Sequence, residues 1–119
     1  MIIEKIETIN HPYDLTDLKF DPLDKEYKIT KPPTSKMVTM LRELWLIYGD
    51  NYISQYKIND FCKEKWGYKP PVSIQAIRGL WKRGYVDRYK WGEYYLHSQG
   101  GKNFGVHYKI NTEKIIELV

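Results

Sequence analysis

Residues 69–91 read Lys-Pro-Pro-Val-Ser-Ile-Gln-Ala-Ile-Arg-Gly-Leu-Trp-Lys-Arg-Gly-Tyr-Val-Asp-Arg-Tyr-Lys-Trp. Pro70 and Pro71 cannot lie inside a helix but can begin one, because first-turn residues need no intrahelical N–H donor. Val72 or Ser73 can open the first turn, with Ser73 as a cap. Ile74, Ile77, Leu80 and Trp81 recur at i, i+3, i+6 and i+7, which gives the helix one apolar stripe. Gly84 ends it where a left-handed residue is wanted. Tyr85-Val86-Asp87-Arg88-Tyr89-Lys90-Trp91 comes directly after, aromatic and β-branched enough for a strand.

The remaining positions of that helix, Ser73, Gln75, Ala76, Arg78, Gly79 and Lys82, are small, amide-bearing or cationic, and none is acidic. Such a face suits a DNA major groove. Small residues permit close approach, Gln and Arg pair bidentately with adenine and guanine edges, and Lys or Ser holds phosphate. An ordinary solvated face would mix in Glu or Asp.

The chain of 119 residues has the length of one domain with a single core. With 42% hydrophobic and 29% charged residues it is of globular composition. A single Cys, Cys62, excludes an internal disulfide and a multi-cysteine zinc site, and fits a reducing compartment. No apolar run reaches membrane-spanning length and no signal-like start is visible. The expected location is therefore the cytoplasm, with no membrane and no small-molecule ligand as partner.

Charge is unevenly spread. Residues 1–34 hold five Lys against seven acids, net −2, while residues 69–109 hold eight bases against Asp87 and Glu93, net +6. The positive excess sits on the proposed helix and on the strand segments C-terminal to it, as a polyanion-binding face requires.

Residues 1–34 are expected to form an N-terminal arm, irregular or in short strands, with a short strand at Glu26–Thr30. Residues 35–119 are expected to form the domain proper. Thr34 and Ser35 can cap a first helix over Lys36–Tyr48, and Tyr52–Tyr56 can add a small strand. A second helix over Lys57–Trp66, capped by Ser54 or Asn59, ends at Gly67. After the 69–91 segment, Ser98–Asn103 is the strongest turn signal. Phe104–Ile110 returns as a strand, and Asn111 opens a last short helix or strand.

Three helices and then a basic β-hairpin is the order of a winged helix-turn-helix domain, of class α+β. Residues Val72–Arg88 resemble the VSxxLxxLxxxGLVxR run of MarR-, ArsR- and PadR-like regulators, and the resemblance spans roughly residues 35–110. It implies that the helix of about residues 72–83 lies in the major groove, with Ser73, Gln75, Ala76, Arg78 and Lys82 facing the DNA. It also implies a wing of about residues 86–110, whose Arg88, Lys90, Gln99, Lys102 and Asn103 touch backbone or minor groove. The composition, rich in Ile, Lys and Tyr with a single Ala, is similar to small regulators encoded by archaeal viruses and plasmids.

The expected function is thus sequence-specific double-stranded DNA binding and transcription regulation, without enzymatic activity or cofactor. A homodimer, if formed, would use the arm, the first helix or the C-terminal segment. The alternative from another class is a winged-helix module that binds replication, polymerase or host-defence proteins. Two residue sets hint at other chemistry. His97 and His107 could face each other across the wing, but without a nearby Cys or acid they make no closed metal site. Asp21 with Glu26-Tyr27-Lys28 faintly matches an acid-then-ExK nuclease pattern, at a short spacing in a loop-like segment.

Overall fold

The computed structural model describes residues 18–90 and 105–116. Among these there are four α-helices and one four-stranded antiparallel sheet, an α+β fold. In chain order the elements are β1 (Lys19–Asp21), α1 (Ser35–Tyr48), β2 (Ile53–Ser54), α2 (Gln55–Trp66), α3 (Pro70–Lys82), β3 (Val86–Lys90), β4 (His107–Ile110) and α4 (Thr112–Ile115). No helix among the described residues is long and apolar enough to cross a membrane.

Local chemistry sets most boundaries. Thr34 caps α1 by accepting the Met37 N–H at 3.2 Å, and Ser54 caps α2 by accepting from Lys57 at 3.2 Å. Because Ser54 is the cap, α2 begins two residues before the expected Lys57. The Ser73 cap does not hold. Lys69 is the N-cap and Pro70 and Pro71 form the first turn, where their missing N–H groups cost nothing. Gly84, at φ 85°, stops α3 as expected. Asn111 caps the short α4 by accepting from Glu113 at 3.2 Å, which decides for helix over strand.

The strands run in the order β1-β3-β4-β2. β3 pairs with β4 through Val86–Ile110, Asp87–Lys109, Arg88–Tyr108 and Tyr89–His107, and β2 closes one edge against β4. β1 closes the other edge, with Phe20 opposite Tyr89 and Asp21 opposite Arg88. The strand expected at Glu26–Thr30 is absent. Residues Lys25–Tyr27 make a 3-10 turn instead, and the strand lies earlier. Lys-Phe-Asp carries almost no local strand signal, so its state is decided by pairing with a distant segment. The rest of the segment is tied to α3. Ile29 N–H donates to Lys82 O at 3.0 Å, and Arg83 Nε donates to Lys31 O at 2.8 Å.

The core joins Met40, Leu41 and Leu44 of α1, Ile58 and Cys62 of α2, and Ile77, Leu80 and Trp81 of α3. From the other side it takes Val86, Tyr108 and Ile110 of the sheet with Ile115 of α4. Cys62 is fully buried beside Met40, where it packs as a small apolar residue. Gly79 faces the Met37 side chain of α1: a Cβ there would lie 2.5 Å from the Met37 Cε. The missing side chain leaves room for the end of Met37 at that point. Leu80 has no exposed surface. Leu80→Ala is therefore expected to cost about 3 kcal/mol, lowering the thermal midpoint by about 10 °C in a calorimetric melt.

Candidate nucleic-acid interface

A helix turns about 100° per residue, so Pro71, Gln75, Arg78 and Lys82 fall within about 60° of one another around α3. Pro71, Gln75 and Arg78 are exposed and Lys82 is half-buried. Opposite them, Ser73, Ile77 and Leu80 are at most 1% exposed and Trp81 is 8% exposed. The amphipathy is thus sharp. One side of α3 is core, and the other is a stripe of one proline, one amide and two cations with no acid. Lys69 at the helix start and Lys36 on the first turn of α1 are also exposed, and Lys36 Nζ lies 5.4 Å from the Tyr68 ring centroid.

Of the site residues expected from the sequence, Gln75, Arg78 and Lys82 are brought together on this stripe. Lys82 Nζ also lies over the Tyr27 ring, 5.7 Å from its centroid, so the turn at residues 25–27 steadies the end of the stripe. Ala76 lies half-buried at the edge. There it lines a groove of about 280 Å³ with Met37, Met40, Trp66, Tyr68 and Val72.

Ser73 is corrected. It is fully buried, its hydroxyl donates to Lys69 O at 3.5 Å, and it is no contact for a ligand on the outer face. Burial pushes the Cys62 thiol up, and the neighbouring Ser73 hydroxyl offsets part of that rise.

Arg88 is corrected too. Side chains alternate along a strand, so Arg88 shares the inner face with Val86 and points toward α3. Its guanidinium carbon lies 5.0 Å from the Trp81 ring centroid, and Nη1 lies 3.4 Å from Asp21 Oδ2. Its side chain is 16% exposed. Lys90, two residues on, reaches the other oxygen of Asp21 at 3.8 Å. Gln99, Lys102, Asn103 and His97 lie outside the described residues, as do Met1–Ile9 and Trp91. His107 is buried, with Nδ1 3.2 Å from Gly105 O. Among the described residues no three His, Cys, Asp or Glu are grouped to hold a metal.

Two features of this region escaped the sequence. Val72 is 48% exposed beside Gln75 although it is apolar, because it stands at the helix start beyond the core. The stripe spacing i, i+4, i+7, i+11 from Pro71 was present as a signal. It was obscured by counting Ser73 and Gly79 as outer residues; both are buried.

Tyr108 of β4, paired with Arg88 of β3, is 1% exposed. Burial pushes its hydroxyl up to about 12, against the pull of Arg88 and Arg78 and with a small push from Asp21. Compared with family profiles, curated proteins and solved structures, the chain finds no match.

These contacts generate two expected outcomes. Asp21→Asn leaves the Arg88 charge in its shielded site without a counter-ion, so a loss of about 2 kcal/mol is expected in urea unfolding. Tyr108 governs an alkaline response. Its folded pKa is raised, so the unfolded chain gives up this proton near pH 10 while the folded chain keeps it to about 12. The folded state then binds more protons, and stability falls as pH rises through that window, by roughly 3 kcal/mol in all. Tyr108→Phe should show a shallower decline over the same window when both proteins are unfolded by urea.

Proposed function

We propose that the chain is a winged helix-turn-helix protein whose partner is double-stranded DNA. In this reading α2, the turn at residues 67–69 and α3 form the helix-turn-helix, while β2, β4 and β3 form its small sheet. More particularly, it is a sequence-reading transcriptional regulator, without catalytic activity of its own.

The observation that carries the proposal is the exposed, acid-free stripe Pro71, Gln75, Arg78 and Lys82 on a helix whose opposite side is anchored in the core. Cation on the stripe complements phosphate, and the rigid inner face holds the reading side chains in one place. Arg78 suits the O6/N7 edge of guanine and Gln75 the N6/N7 edge of adenine. They stand three residues apart, about 4.5 Å along the axis, so they would reach neighbouring base pairs. Lys82, Lys69 and Lys36 lie where they can hold backbone phosphates. Asp21 is shared by Arg88 and Lys90 and offsets one of their two charges, so together they contribute less than the order of elements alone suggests.

The test is selection from a random duplex pool at two salt concentrations, and then titration of the enriched site. Arg78→Ala should weaken binding about 10- to 100-fold and relax preference at one base pair. Lys82→Ala should weaken all sequences alike and reduce the salt slope by about one. Enrichment abolished by Arg78→Ala would support sequence reading. Salt-sensitive binding without enrichment would leave an architectural DNA protein. Absence of duplex binding at either salt would overturn the proposal and favour the module that binds another protein.

A further inference from the structure

The first turn of α3 exposes an apolar residue beside the polar stripe. Val72 is 48% exposed, and Gln75 and Ala76, three and four residues on, are its neighbours on the helix surface. The core takes Ile77, Leu80 and Trp81 from this helix and not Val72. Its N–H is spent on Lys69 O at 3.0 Å, so what Val72 offers outward is its pair of methyl groups. Helix stability does not account for it either. A first turn in water favours acids and small polar residues, and a β-branched side chain loses rotamer freedom in a helix.

The surroundings of Val72 define what it suits. With Gln75 and Ala76 it lines a groove of about 280 Å³, across from Met37 and Tyr68. The lining includes the cation of Lys36 and no acid. Lys69, three residues before Val72, is exposed as well. A methyl-bearing spot set among lysines, an amide and an arginine fits a partner that is anionic overall and apolar at one point. Among DNA bases thymine alone meets this in the major groove, where it presents its C5-methyl.

Spacing agrees. Val72 and Gln75 are three residues apart, about 4.5 Å along the axis, the same step that separates Gln75 from Arg78. Bases stack about 3.4 Å apart, so three side chains in this series would fall on neighbouring pairs.

We infer that Val72 is a specificity-determining residue, which reads thymine by packing its methyl groups against the C5-methyl. The pair it addresses lies next to that of Gln75, on the side away from Arg78. The inference deepens the DNA-binding proposal and rests on it. The target then presents, over a few neighbouring pairs, a thymine methyl, an adenine edge and a guanine edge in that order.

The test uses the duplex enriched by the full chain, resynthesised with each thymine in turn replaced by deoxyuridine. The replacement removes the C5-methyl and keeps the pairing edge. One methyl buried against an aliphatic side chain is worth about a fourfold change in dissociation constant. The wild type should therefore bind about fourfold more weakly when the replaced thymine lies beside the pair at which Gln75→Ala relaxes preference. Val72→Ala should bind the thymine and deoxyuridine forms of that site equally, because the partner of the methyl is gone. Should Val72→Ala fold poorly by circular dichroism, Val72→Ser carries the same test.

An enriched site with no thymine beside the Gln75 pair overturns the inference, and so does a wild type indifferent to every replacement. A methyl penalty of equal size in wild type and variants also overturns it, by placing the contact on another residue. All three leave the DNA proposal standing. Failure of the wild type to bind any duplex is a distinct result, which removes that proposal and this inference with it.

Discussion

The burial of one side of α3 is the contact on which the rest of the molecule depends. Ile77 and Leu80 join the core cluster with residues of α1 and α2, while the Arg88 guanidinium lies over the Trp81 ring. Helices this short gain little from intrinsic propensity, so α3 exists because its inner face is taken up by three neighbours. The same burial fixes its rotation about its own axis. That rotation decides which residues are left outside, so the candidate interface is a by-product of core packing. Gly79 contributes from the edge, since the Met37 side chain fills the place where a larger residue would stand.

The electrostatics of the molecule fall into two parts. On α3, Gln75, Arg78 and Lys82 stand with no acid in their stripe. On the sheet, Asp21 from the acidic N-terminal segment occupies Arg88 and Lys90. The negative segment and the basic segment, separate in the chain, thus meet at one edge of the sheet. Among the described residues, the positive excess counted along residues 69–109 is therefore partly cancelled in space at this edge. Leu46 and Ile116, both exposed, line a third, apolar region, whose chemistry separates it from both.

Much of this is legible in the sequence, for local reasons. The helix starts at Thr34 and Ser54 come from side chains able to cap, and the stop at Gly84 comes from a left-handed conformation that glycine alone adopts cheaply. Gln75 and Arg78 could be placed outside because Ile77 and Leu80 had to go inside. The statements that failed were those needing a neighbour. Ser73 looks like a cap or a phosphate contact, yet it is fully buried with its hydroxyl on Lys69 O. Arg88 looks like a wing cation, although period-two alternation from Val86 already places it inward.

Sequence alone determined the three helices that follow Thr34, the amphipathy of α3 and the absence of acid from its outer stripe. Each depends on residue spacing and side-chain chemistry within a few positions of the chain. Only the tertiary structure decided that Lys19–Asp21 is an edge strand, that Asp21 holds Arg88, and that Leu46 and Ile116 share one apolar face. Each of these joins segments tens of residues apart. Local propensity carries no information about such pairs, because their energy appears only when packing brings both partners out of water together.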